Sequence, residues 1–199
     1  MKEPDTFFLA FAGRPRPASA GLLDAVNGHP ERERARDLLS KRRPSELSVH
    51  DLRDVVGGNL GLLTPEAFLY FLPAFLAAID ADYPALTVIA YELVDQLAPP
   101  ARGDVVEDYE RLRRNVREGG ADLPEAMVEM LRSQALQLVD SGMAQQRFAA
   151  RFGGIAPEEA RAILTFLRRL RDRYGADFPG GAVEKAFAYW DAHAAARKT

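Results

Sequence analysis

Leu62-Leu63-Thr64-Pro65-Glu66-Ala67-Phe68-Leu69-Tyr70-Phe71-Leu72-Pro73-Ala74-Phe75-Leu76 is the densest apolar run in this chain. Its opening is a helix start: Pro65 loses nothing at the first helical position, and Glu66 favours the positive end of the helix dipole. Phe68, Phe71 and Phe75, with Leu72, Leu76 and Ile79, recur at helical spacing, which reads as plain core, with a ligand-pocket lining as the alternative. The run predicts a buried central helix over 65–81. Pro73 removes a backbone donor in its interior, so a kink or division is expected there. Glu66 and the two prolines interrupt it too soon for a membrane span of about 20 apolar residues.

The same periodicity extends outward. Leu86, Ile89, Leu93 and Leu97 form one stripe; Val105, Tyr109, Leu112 and Val116 a second; Ala160, Ile163, Leu167, Leu170 and Tyr174 a third. β-branched residues are sparse, and no apolar/polar alternation is long enough for a strand. Coarse helices fall at 19–27, 31–41, 48–56, 65–81, 84–97, 104–117, 124–140, 142–151, 157–174 and 182–196. Glycine and proline clusters mark the breaks between them. Pro65, Pro124 and Pro157, each followed by glutamate, read as one shared N1 device. The expectation is an all-α fold, a single multi-helix domain over 1–199, with 98–152 as a helical insertion.

Composition bounds the chemistry. The chain has 199 residues and a formal net charge of −3, with no cysteine. Thiol nucleophiles, disulfides, zinc ribbons and iron–sulfur centres therefore drop out. That charge gives no general footprint for nucleic acid or an anionic membrane. The apolar segment Thr6 to Gly13 ends like a leader cleavage site, but Glu3 and Asp5 cancel the positive charge such a leader requires. The expected location is the cytoplasm.

Two stretches carry a family resemblance. Leu63-Thr64-Pro65-Glu66-Ala67-Phe68, continuing through Tyr70-Phe71-Leu72-Pro73, resembles the L-[ST]-P-E-x-F-x-[YF]-[YF]-L-P signature of an uncharacterised bacterial helical family, a domain of unknown function. Ala162 to Leu167, leading to Ala188-Tyr189-Trp190, is similar to that family's later helix and its terminal Tyr-Trp. Ala10-Phe11 followed by Pro15 or Pro17 fits its N-terminal edge. The similarity spans about residues 7–80 and 155–190. Where the family tends to carry Gln, this chain has Glu159. The resemblance implies an all-helical fold and no reaction.

Candidate chemistry is thin. His50, Asp51 and Asp54 form the most metal-like group, since His50 and Asp54 lie i, i+4 on one helix face. Ser48 with Asp51 also reads as a capping box, which needs no metal. His29, beside a proline turn, and His193, in the C-terminal helix, have no sequence-near Ser or Asp arrangement that suggests a triad. Gly57-Gly58-Asn59-Leu60-Gly61 lacks the Lys-Ser/Thr ending of a phosphate loop, and Gly57 is expected at a helix end with positive φ.

Arginine is concentrated in Arg32, Arg34, Arg36, Arg42 and Arg43, with Lys41, and again in Arg161, Arg168, Arg169, Arg171 and Arg173. Arg168, Arg169, Arg171 and Arg173 are the candidate phosphate contacts, although a solvated helix face explains them as well. Glu107–Arg111 and Glu110–Arg114 are expected surface pairs. No cofactor motif is present. The leading expectation is a cytosolic binding or regulatory protein with a protein partner or self-association. An enzyme assembling distant carboxylates with His50 is the alternative, and a nucleic-acid accessory protein the third reading.

Overall fold

A computed structural model describes residues 6–23, 29–58, 60–120 and 122–196. Ten α-helices account for most of the described residues: α1 (Thr6–Ala10), α2 (Pro30–Lys41), α3 (Val49–Asp51), α4 (Pro65–Ala81), α5 (Thr87–Leu97), α6 (Arg102–Arg117), α7 (Glu125–Asp140), α8 (Met143–Phe152), α9 (Pro157–Tyr174) and α10 (Ala182–Ala196). The only extended pairing among them is one antiparallel bridge, Leu23 to Leu63. The fold is all-α. No helix among the described residues is long and apolar enough to cross a membrane.

The chain divides into two units, Met1–Ala98 with Arg151–Thr199, and Pro99–Ala150. The second lies inside the stretch 98–152 set apart by the sequence.

In the first unit α4 is the core. Thr64 caps it by accepting the Ala67 N–H at 3.2 Å, and its hydroxyl donates to the Gly21 carbonyl at 2.6 Å. Phe68, Phe71, Leu72, Phe75, Leu76 and Ile79 are fully buried. The helix does not divide at Pro73, which is itself buried mid-helix. Burial of apolar surface around Pro73 outweighs the missing backbone donor, worth about 3 kcal/mol in an exposed helix. Helix α9 packs against α1, α4 and α10, and α10 also lies on α5. Trp190 is fully buried, and its indole N–H donates to the Leu97 carbonyl at 2.8 Å.

Several local expectations are corrected. Over 19–27, Ser19–Gly21 is a single 3₁₀ turn and Leu23 is in the bridge; residues 24–28 lie outside the described residues. Over 48–56, α3 passes directly into a π-helical turn, Leu52–Val56, closed by the Gly57 N–H on the Leu52 carbonyl at 2.8 Å. The positive φ falls on Gly58, at 77°, and not on Gly57. Gly57 is required for a different reason: a Cβ there would lie 2.9 Å from the Arg53 carbonyl oxygen. Pro65 and Pro157 occupy N1 as expected, but Pro124 is the N-cap of α7.

The second unit is built on an antiparallel helix pair. Arg117 meets Glu125 at 2.6 Å near the turn, and Arg102 meets Asp140 at 3.1 Å at the far end, which fixes the direction of α7 against α6. Glu107–Arg111 pairs weakly at 3.8 Å. Glu110 takes Arg113 in place of the expected Arg114.

Candidate functional site

The first turn of α9 is held from two sides. Pro157 opens it, and the Glu159 carboxylate accepts the Ala156 N–H at 2.7 Å, the acidic half of a capping box. Glu159 is also the one charged side chain buried among the described residues, at 4% exposure. Burial of a lone carboxylate is expensive, and Arg14 supplies the compensation through hydrogen bonds of 2.6 and 2.5 Å. Arg14 further donates to the Gly154 carbonyl at 2.9 Å. Glu159 thus has a structural role here.

Beyond that clamp, α9 and α10 border a groove of about 390 Å³. Pro157, Ala160, Arg161, Leu164 and Arg168 follow i, i+3, i+4, i+7 and i+11 along α9, and Asp191, Ala194 and Ala195 face them from α10. Small side chains at 160, 194 and 195 leave the space open. Arg161 and Arg168 are exposed at the rim, about 10 Å apart along the axis. Arg161 donates only to the Pro157 carbonyl at 3.2 Å, and neither arginine has a carboxylate partner among the described residues.

The other arginines of this helix are engaged. Arg169 and Arg173 converge on the Asp80 carboxylate at 2.7 and 3.4 Å. Arg171 pairs with Asp172 at 2.9 Å and lies over the Phe187 ring at 4.2 Å. Of the four candidate phosphate contacts, Arg168 alone is left without an acid among the described residues.

The structure does not bring His50, Asp51 and Asp54 onto one point. Asp51 accepts the Ser48 N–H and hydroxyl at 2.9 and 2.8 Å while its own N–H donates to the Ser48 hydroxyl, a complete capping box. Those Ser48 groups hold its carboxyl below the usual range, the backbone N–H most strongly. Asp54 meets His50 Nδ1 at 2.7 Å and Arg53 Nε at 2.6 Å. Among the described residues no three His, Asp or Glu side chains form a group able to hold a metal ion. His29 is the exposed N-cap position of α2, and His193 lies beside Tyr189 and Trp190 at ring distances of 5.9 and 5.4 Å.

The glycine loop after the π turn is already filled. The Gly58 and Leu60 N–H groups donate to the two Glu92 carboxylate oxygens at 3.1 and 3.0 Å. A carboxylate of α5 occupies the donors that a phosphate would use. Nothing in the spacing of 32 and 34 residues could have announced that contact.

No family model, no curated protein and no solved structure matches this chain.

Proposed function

We propose that this chain is a cytosolic binding protein acting through its helical surface and not by catalysis, with the α9–α10 groove as its docking site. The partner is an acidic amphipathic segment of another protein. One observation carries the reading: among the described residues, Arg161 and Arg168 stand without carboxylates above the apolar floor made by Ala160, Leu164 and Ala194. Elsewhere in the first unit the arginines of α9 are held by Asp80 and Asp172, so the two cations at the groove stand apart. Carboxylates two helical turns apart would meet both arginines, while apolar side chains between them enter the floor. Asp191 on the opposite rim sets polarity, favouring a basic residue on the partner's other edge.

The resemblance to a bacterial helical family belongs to the same proposal. The residues that carry it include the buried start of α4 and Trp190, so it describes a scaffold.

Native affinity capture tests the reading. The wild-type chain is expected to retain a stoichiometric protein partner, with retention falling as salt rises. Arg161→Glu with Arg168→Glu should abolish it while leaving the fold intact, because both side chains are exposed. Absence of any stoichiometric partner, or equal recovery by the charge-reversed chain, overturns the proposal.

A further inference from the structure

Helix α7 has two faces of opposite character. Its four charged residues are Glu125, Glu129, Arg132 and Asp140. Each is engaged within the α6–α7 pair: Glu125 by Arg117, Glu129 by Arg113 at 3.5 Å and Arg132 at 3.3 Å, and Asp140 by Arg102. Val128, on the inner side, is fully buried.

The outer side has no charge. Met127, Met130, Gln134 and Leu138 follow one another at i, i+3, i+7 and i+11, a continuous stripe on an α-helix. Met127, Met130 and Leu138 are 41%, 51% and 36% exposed. Three of the chain's four methionines lie in this unit, and Met143 just beyond α7 is exposed as well.

We propose that this stripe is a homodimer interface, with α7 packing antiparallel against α7 of a second copy across a two-fold axis at Gln134. An isologous interface must be complementary to itself. A face of one charge sign fails that test, because like charges meet across the axis; a neutral one passes it. With the axis at Gln134, the two Gln134 amides face each other, and an amide both donates and accepts. Met130 then meets Leu138 of the second copy, and Met127 meets its Ser141. Methionine suits such a contact because its unbranched, polarizable side chain adapts to the opposing surface.

The pairing also completes an architecture. Two antiparallel helices bury a single side chain fully in this unit, and two such pairs joined through α7 make a four-helix arrangement with an inner apolar layer. One helix face about 24 Å long is smaller than a standard interface, so the dimer is weak, with dissociation in the micromolar range or above. The groove at α9–α10 plays no part in it, and either proposal can fail without the other.

The absence of cysteine makes a clean test. Light scattering on the full chain, from about 10 µM to about 1 mM, is expected to show a monomer–dimer equilibrium. Gln134→Cys should then form a disulfide-linked dimer under mild oxidation at least about tenfold faster than Ala188→Cys, an exposed control on α10. Met130→Lys with Leu138→Lys places lysine opposite lysine and should return a monomer. Met130→Glu with Leu138→Lys places opposite charges at the same contacts and should restore dimer. A monomer throughout the concentration range overturns the proposal. So does a dimer that the double lysine variant leaves unchanged.

Discussion

Arg14 and Glu159, 145 positions apart, meet through two hydrogen bonds of 2.6 and 2.5 Å, and the same carboxylate caps α9 through Ala156. One acid thus joins the N-terminal segment to the start of the helix that borders the groove. Glu159→Ala removes the cap and leaves Arg14 half-buried without its partner. The expected cost is about 3 kcal/mol, at the lower end for a broken buried pair because Arg14 keeps some access to water. Glu159→Gln keeps an oxygen for the Ala156 N–H and for Arg14, so it should cost about 1 kcal/mol. Urea unfolding followed by Trp190 emission gives both values. Equal losses in the two variants would show that the amide cannot stand in for the carboxylate.

The core makes a sharper demand. Phe75 is fully buried on α4, and Phe75→Ala should cost about 3–5 kcal/mol, since the surrounding side chains only partly collapse into the space. Leu9→Ala is the contrast: Leu9 is largely exposed on α1, and its loss should stay within about 0.5 kcal/mol. Denaturant midpoints with unchanged m-values would establish that both figures report stability.

How much of this was legible in the sequence depends on the range of the interaction. Helices α4, α5 and α9 could be read from apolar spacing and proline placement, because those signals act within a turn or two. Ser48 and Asp51 were legible as a cap for the same reason. Glu92 on the Gly58–Leu60 loop, Asp80 under Arg169 and Arg173, and Arg14 on Glu159 were not, because no local pattern records which distant partner a charged side chain meets. The π turn at Leu52–Val56 escaped as well: its apolar residues fit an ordinary helix, and the wider turn shows only in the Gly57 N–H reaching back to the Leu52 carbonyl. The groove fell between the two cases. Arg161 and Arg168 were visible as part of a basic group, but which arginines of α9 lacked acids emerged only with Asp80 and Asp172 in place.

The glycines after the π turn should differ in kind. Gly58→Ala forces a Cβ onto a φ of 77° with open space around it, a strain of about 1 kcal/mol. At Gly57 the φ is ordinary, but the added Cβ meets the Arg53 carbonyl oxygen at 2.9 Å and Ile89 behind it. Gly57→Ala must therefore move backbone, and its loss should exceed that of Gly58→Ala. Hydrogen exchange at the Gly57 and Leu60 amides would locate the disturbance, with faster exchange expected at both in the Gly57 variant.

Acid should release the α3 cap. The Asp51 carboxyl is held below its ordinary value by the Ser48 N–H, with the Ser48 hydroxyl adding to it. For a carboxylate depressed in the folded state, the unfolded chain takes up the proton first as pH falls. Its stabilisation is therefore fully present above the unfolded value of about 3.9 and disappears as pH drops through the lower folded value. Asp51→Asn cannot ionise, so its stability should depend less steeply on pH below about 4 than that of the wild type. At neutral pH, Ser48→Ala should cost about 1 kcal/mol by leaving the Asp51 N–H without its acceptor. Urea midpoints measured from pH 2.5 to 6 separate the two effects. Parallel acid limbs for wild type and Asp51→Asn would show that the cap does not titrate within folding, whatever Ser48→Ala does at neutral pH.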